Sequence, residues 1–324
     1  MRTVSLIPLS FFLITGVAVA NDATTSYISR LSAKGSFSAA SPKTNNPQSV
    51  SQQGYDSFTG KKLNCSMDPS VIGEKIGDYV VKTSPYGIGM LFESGESIPS
   101  DFTFMDCVGI SRKGTSIRFD AKWKLPPHSN LGLFLPAPIY PEIMYGSLGI
   151  RTNYKLPRKV STTKSLIVSW DYDLIGTGPQ DLGYILLQTW LAAVPNPSDI
   201  RPEGGMAVKI TVVQDCFNSP QRNCFPTDQV GGVEIDGVKY LVVAGDERGS
   251  GYQYNYPSTM YSAMFRSMSP PIRKGSVDLK KFAQYLIDNN LIPNGLYFSG
   301  IEFGPEVPDG SGELKVKRYS VKIN

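Results

Sequence analysis

Two antiparallel β-sheets packed face to face, with one short helix laid against them, is the fold class the sequence predicts. Three observations carry it. Period-two alternation of apolar and polar residues recurs along the chain, as in Thr115 to Trp123 and Leu314 to Ile323. Only one stretch shows helical spacing: Leu279, Phe282, Ala283, Leu286 and Ile287. Glycine (31) and proline (24) are plentiful while charged residues make up 19%, which suits many short strands joined by turns.

The elements follow in order. Arg2, the mostly apolar run Leu6 to Val17 and the small-x-small triplet Ala18-Val19-Ala20 read as a secretory leader, residues 1–20. Residues 21–60 are rich in Ser, Thr, Asn and Gln. They hold too little bulky apolar surface to offset ordering entropy, so a flexible arm is expected. From about residue 61 to 324 one β domain is expected, long enough for a substantial core. Tyr79-Val80-Val81-Lys82, Ser165 to Leu174, Tyr184 to Leu191 and Met206 to Val213 are its strand candidates, and Gly232 to Val243 is a hairpin turning at Asp236-Gly237. The helix is expected over Val277 to Asn289, with Ser276 as N-cap, Asp278 in the first turn and Pro293 beyond its end.

Four cysteines follow the leader, and in an exported chain they imply two disulfides with three possible pairings. Cys216 and Cys224 enclose a short polar loop and are natural partners, which leaves Cys65 for Cys107. No C-x-x-C spacing occurs and His128 is the sole histidine, so no metal and no cofactor are expected. His128 stands in a Pro-Pro-His-Ser loop without a nucleophile signature and reads as a surface residue. Gly245 to Gly251 lacks the lysine-Ser/Thr ending of a phosphate loop. A net charge of +4 without a long basic run gives no footprint for nucleic acid, and past the leader no stretch is long and apolar enough to cross a bilayer.

Four blocks, in the same order, resemble glycoside hydrolase family 12, the small concanavalin-like jelly-roll endoglucanases and xyloglucanases. Lys281 to Asn289 is similar to that family's helix, and Gly295 to Gly312 follows its pattern without a gap, including Tyr297, Phe303, Gly304, Glu306, Gly310 and Gly312. Tyr172-Asp173-Leu174 is similar to a Y-D-L-F strand. Gly183 to Leu191 is similar to a strand reading E-L-M-I-W-L, its end matched by Trp190-Leu191. In Tyr79 to Gly87, Tyr86-Gly87 takes the place of a tryptophan-glycine pair in the glycan cleft. Cys65 with Cys107 would be similar to the family's N-terminal disulfide.

The resemblance implies a secreted, monomeric protein (periplasmic if bacterial and retained) that acts on or binds β-1,4-glucan or xyloglucan-type polysaccharide. Retention at a β-glycoside needs two carboxyl groups about 5–5.5 Å apart. Glu306 matches the acid/base, but the nucleophile position falls on Leu186, and Gly183 to Leu191 holds no carboxylate. A leucine cannot form a glycosyl ester. Glu302 shares the parity of Glu306, but four residues along a strand is about 13 Å, too far for a retaining pair. Asp173 is expected to share the cleft as partner to Glu306, with Asp171 next in line. Tyr86, Gln188 and Trp190 are the expected sugar contacts; Tyr184 and the run Tyr252, Tyr254, Tyr256 can serve as stacking platforms or as core. The alternative is a catalytically inactive glycan- or host-surface-binding protein, in adhesion or virulence, that keeps the same cleft.

Overall fold

The computed structural model describes residues 63–66, 73–85, 104–125, 139–148, 150–178, 183–198, 200–217, 231–246 and 259–324. The leader, the arm, Tyr86, His128, Cys224 and the tyrosine run 252–256 lie outside the described residues.

The described strands, in chain order, begin with β1 (Asn64–Ser66), β2 (Gly73–Ile76), β3 (Tyr79–Lys82), β4 (Met105–Lys113), β5 (Ser116–Leu125) and β6 (Glu142–Leu148). Next come β7 (Ile150–Arg151), β8 (Arg158–Lys159), β9 (Leu166–Ile175), β10 (Gly183–Ala192) and β11 (Met206–Phe217). The chain ends with β12 (Gly231–Ile235), β13 (Val238–Asp246), β14 (Tyr261–Ser267), β15 (Lys274–Asp278), helix α1 (Leu279–Asp288), β16 (Tyr297–Glu306) and β17 (Gly310–Ile323).

They form two sheets. The smaller has six strands in the order β1-β4-β5-β17-β9-β15. The larger runs β12-β13-β14-β11-β10-β16-β6-β3-β2, with β7 paired to β6 and β8 to β16. The pairings are antiparallel except that of β11 with β14. Among the described residues the fold is therefore the two-sheet β-sandwich with one short helix that the alternation predicts.

Alternation decides which side chains fill the space between the sheets. Trp170 and Tyr172 of β9 and Tyr319 of β17 point inward from the smaller sheet, and Phe303 of β16 points inward from the larger. Phe303 stacks against Tyr319 at 5.5 Å and Trp170 at 6.4 Å between ring centroids, and all four rings are buried. Such aromatic contacts contribute about 0.5–1.5 kcal/mol each beyond the burial of their area. Because Phe303 is committed to the interior, Glu302 and Gly304 on either side of it must face the opposite way.

Helix α1 buries Leu279, Phe282, Ala283 and Leu286, one face at i, i+3, i+4 and i+7 spacing. Phe282 meets Phe265 at 5.0 Å and Tyr240 at 5.2 Å, so the helix covers the β13–β14 end of the larger sheet. The helix starts later than the sequence suggests. Ser276 is not its cap but lies in β15, paired with Ser169 of β9. Asp278 is the N-cap: its carboxylate accepts from the Lys280 N–H at 3.1 Å and from the Leu166 N–H at 2.8 Å. An edge strand took residues whose spacing also fits a helix, because the β9 edge offered them partners.

The β12–β13 hairpin turns where expected, with positive φ at Asp236 (52°) and Gly237 (77°), as a two-residue turn of this hand requires. Cys65 and Cys107 stand opposite each other on β1 and β4 and are disulfide-bonded. Cys216 is also disulfide-bonded. Among the described residues no helix is long and apolar enough to cross a membrane.

Candidate functional site

The site lies on the face of the larger sheet turned away from the sandwich interior, where β6, β16, β10 and β11 run side by side. Each strand sends alternate residues there. On β10, Ile185 and Leu187 belong to the interior core, so Tyr184, Leu186 and Gln188 face outward, and Trp190 joins a separate apolar cluster with Met144 and Met206. On β16 the outward set is Glu302, Gly304 and Glu306; on β6 it is Glu142 and Met144.

Register fixes who meets whom. Tyr184 pairs with Glu306, Leu186 with Gly304, and Gln188 with Glu302. Glu302 pairs in turn with Met144, and Glu142 with Lys82. Gly304 leaves no room for a side chain: a Cβ there would stand 2.1 Å from the Pro141 carbonyl oxygen and 3.0 Å from the Glu142 Cα. Bare backbone thus separates Leu186 on one side from Glu142 on the other.

Three carboxyl groups gather on this face. Lys82 Nζ lies 2.8 Å from Glu142 Oε1. Trp190 Nε1 donates to Glu302 Oε2 at 2.7 Å. Glu142 and Glu302 are neighbours close enough for the charge of one to act on the other, and both are buried, at 1% and 5% exposure. Burial first, then the charge of Glu302, hold the Glu142 pKa well above the ordinary range, against the pull of Lys82. Burial also works against the Lys82 charge, yet Glu142 and Glu302 together keep its pKa above the usual lysine value. Both directions fit one arrangement: a lysine cation facing a buried carboxyl group, Glu142, that resists ionisation. A proton on Glu142 gives its Oε2, which has no other partner among the described residues, something to donate.

Glu306 retains some exposed surface but sits deep enough that its pKa is pushed up to about 6. Burial is the main cause; Lys209 works against it and Glu302 adds to it. A carboxyl group of that kind is protonated for part of the time near neutrality, as a general acid must be. Tyr140 and Tyr184 flank it; burial raises the pKa of both phenols, with Glu306 adding to each.

No protein-family model matches the sequence, and no curated protein matches it. Solved structures do match the fold. A family 12 xyloglucanase from Bacillus licheniformis, in complex with ligand, superposes at a TM-score of 0.61 with 17% identity, over 81% of this chain and 99% of that one. Endoglucanase 3 of Trichoderma harzianum, from the same family, gives 0.60 at 18% identity, over 81% and 98%. Endoglucanase Cel12A of Rhodothermus marinus gives 0.57 at 20%, over 81% and 98%. The fold is that of glycoside hydrolase family 12.

Within this family 12 fold, Leu186, Gln188, Trp190 and Glu306 stand on one face, as the alternation of β10 and β16 predicts. Asp173 does not join them. It lies on β9 in the smaller sheet, and because Tyr172 takes the interior, Asp173 points out to solvent, where it meets Lys317 at 2.7 Å. Asp171 is likewise outward, 3.9 Å from Lys274. Trp190 is not an open platform. It is 7% exposed, packs with Met144 and Met206, and has the Lys209 ammonium 5.6 Å from its ring centre. The sequence reading missed Glu142 and Lys82 as neighbours of the site. Lys82 was legible as a strand end, but its pairing with Glu142 depends on β3 meeting β6 across some sixty residues, which local pattern does not encode.

Proposed function

We propose that this chain, exported and monomeric, binds β-1,4-glucan or xyloglucan-type polysaccharide on the site face of the larger sheet, and that double displacement is closed to it. Leu186 carries the reading. It occupies the register position beside Gly304 and one residue pair from Glu306, where attack on the anomeric carbon would need a carboxylate, and it is 1% exposed. Glu306, with its pKa near 6, supports the view that an acid is kept in place. The burial of Leu186, Gln188 and Trp190 favours the second reading, a glycan- or host-surface-binding protein without catalysis.

Calorimetric titration with xyloglucan and β-1,4-gluco-oligosaccharides, against an α-linked glucan control, tests the binding. Affinity for the β-linked ligands alone is expected; none for either would sink the reading. A 2-fluoro-glycoside that traps glycosyl-enzymes should leave no adduct on the natural chain and label Leu186→Glu. The mass of the exported protein reports whether cleavage follows Ala20.

A further inference from the structure

We infer that Tyr154 and Arg151 form a second platform for the β-1,4-linked polymer, beyond the end of the site face, which engages long chains and not short oligosaccharides, an inference that rests on the polysaccharide reading above.

Exposure singles the place out. Among the described residues six large apolar side chains are exposed: Ile150, Tyr154, Ile175, Val194, Ile200 and Met268. Four of the six fall in two segments, 150–154 and 194–200, and Arg151 ties these together by donating to Asn196 Oδ1 at 3.4 Å. Apolar surface gathered in this way marks a contact face, whereas single exposed residues need no explanation.

Tyr154 is 89% exposed, yet the backbone that carries it is fixed. Thr152 before it is buried: its N–H donates to the Gly146 carbonyl at 2.7 Å, and its hydroxyl accepts from the Gly146 N–H at 2.7 Å. Asn153 is buried as well. Its side-chain nitrogen donates to the Asp78 carbonyl at 3.4 Å, and its Oδ1 accepts from the Lys155 N–H at 2.9 Å. That second bond closes an Asx turn with Tyr154 at its tip. Lys155 is held by Asp78 at 2.8 Å, and Leu156 is buried beyond it. The Arg151 guanidinium carbon stands 5.3 Å from the Tyr154 ring centre, a cation–π contact that orients the ring. At this exposure the ring still keeps a face open to solvent. It contributes almost nothing to the core, so the rigid loop presents it outward.

The ligand follows from the chemistry of the patch. A β-1,4-linked glucan is a ribbon with C–H groups on its two faces and hydroxyls along its edges. Tyr154 offers a flat π surface to such a face, and Ile150 and Val194 add apolar surface. Arg151 and Asn196, at the junction of the two segments, supply polar groups for the edges.

The patch also continues the site face. Ile150 of β7 pairs with Leu148 of β6, and Leu148 belongs to the apolar cluster of Met144 and Trp190. Leu148 lies over Gly300, where a Cβ would stand 2.3 Å from its Cγ. Along β16, Gly300 is about 20 Å from Glu306 at ordinary strand rise. A short oligosaccharide held near Glu306 stops short of Tyr154, and a polymer reaches it. Engaging both places at once raises apparent affinity above that of either.

Retention on insoluble β-1,4-glucan and titration with its trisaccharide, side by side on the full natural chain, test this. The natural chain should bind both. Tyr154→Ala should weaken retention by about tenfold or more and leave trisaccharide affinity within about threefold. Its thermal midpoint should not move, because the side chain is exposed. Tyr154→Trp, which keeps a ring in place, should retain the polymer as the natural chain does. Equal retention of Tyr154→Ala and the natural chain overturns the inference and leaves the patch to a protein partner. An equal loss for polymer and trisaccharide overturns it too. Retention that depends on Tyr154 without any trisaccharide binding supports the platform and sinks the site-face reading. Failure of the natural chain to bind either ligand removes both.

Discussion

The outward faces of the two sheets hold the same residue types in opposite conditions. On the smaller sheet, Asp173 meets Lys317, Asp171 meets Lys274 and Glu313 meets Lys122, all with water at hand. On the larger sheet, Glu142 and Glu302 are buried and Glu306 nearly so, and two lysines serve three carboxyl groups. The first pattern is a solvated charge ladder in which each pair contributes little. The second makes protons structural at Glu142 and Glu306, because burial without a full counter-charge holds their protons above the usual range. The lesson is that a carboxylate's chemistry here follows the face its strand presents, not the motif in which it sits.

The contrast can be broken or sharpened by mutation, and the largest effect tests burial alone. Asp106 points into the sandwich interior, where among the described residues it has one donor, the Ser84 N–H at 3.0 Å, and its Oδ1 has no partner. Burial pushes its pKa up to about 8, with the Ser84 bond opposing. A folded pKa above the unfolded one means that the folded state binds the extra proton. The stability it lends is full below about pH 4 and is lost as pH rises toward 8. Asp106→Asn should therefore flatten the pH dependence, matching the natural chain near pH 4 and exceeding it by on the order of 5 kcal/mol at pH 8. Parallel denaturation profiles across that range would show that burial does not act as described.

Next in size is Lys82→Met, which leaves the Glu142–Glu302 pair without its cation. A loss of about 2 kcal/mol near pH 7 is expected, shrinking in acid as protonation leaves less negative charge for the cation to face. Urea denaturation at pH 7 and pH 5 measures both, and an equal loss at the two would argue against a charge that acid removes. The smallest effect belongs to the other face. Asp173→Asn removes the exposed partner of Lys317 and should leave both the denaturation midpoint and glycan binding where they were. A weaker affinity for oligosaccharide in that variant would return Asp173 to the site and undo the contrast.

Legibility in the sequence followed the range of the interaction. The parity of Leu186, Gln188 and Trp190, the outward turn of Glu306 and the turn at Asp236-Gly237 are local properties of backbone alternation and φ preference, and one strand is enough to read them. The Asp278 cap was misread as Ser276 because strand and helix periods overlap over five residues, and only the presence of the β9 edge decides between them. Asp173 was misplaced because a strand's pattern shows which residues share a face but not which sheet that face belongs to.

The sequence by itself determined that this chain alternates into two apolar-lined sheets, that one amphipathic helix joins them, and that Leu186 shares a strand face with Gln188 and Trp190. Each follows from residue type and a period of two or 3.6. Only the tertiary structure decided that Glu142 and Lys82 join Glu302 beneath Glu306, that Trp190 spends its N–H on Glu302, and that Asp173 faces solvent. Those outcomes depend on which strands hydrogen-bond across dozens of intervening residues and on how much water that pairing removes. Both are properties of the assembled sheets and not of any one segment.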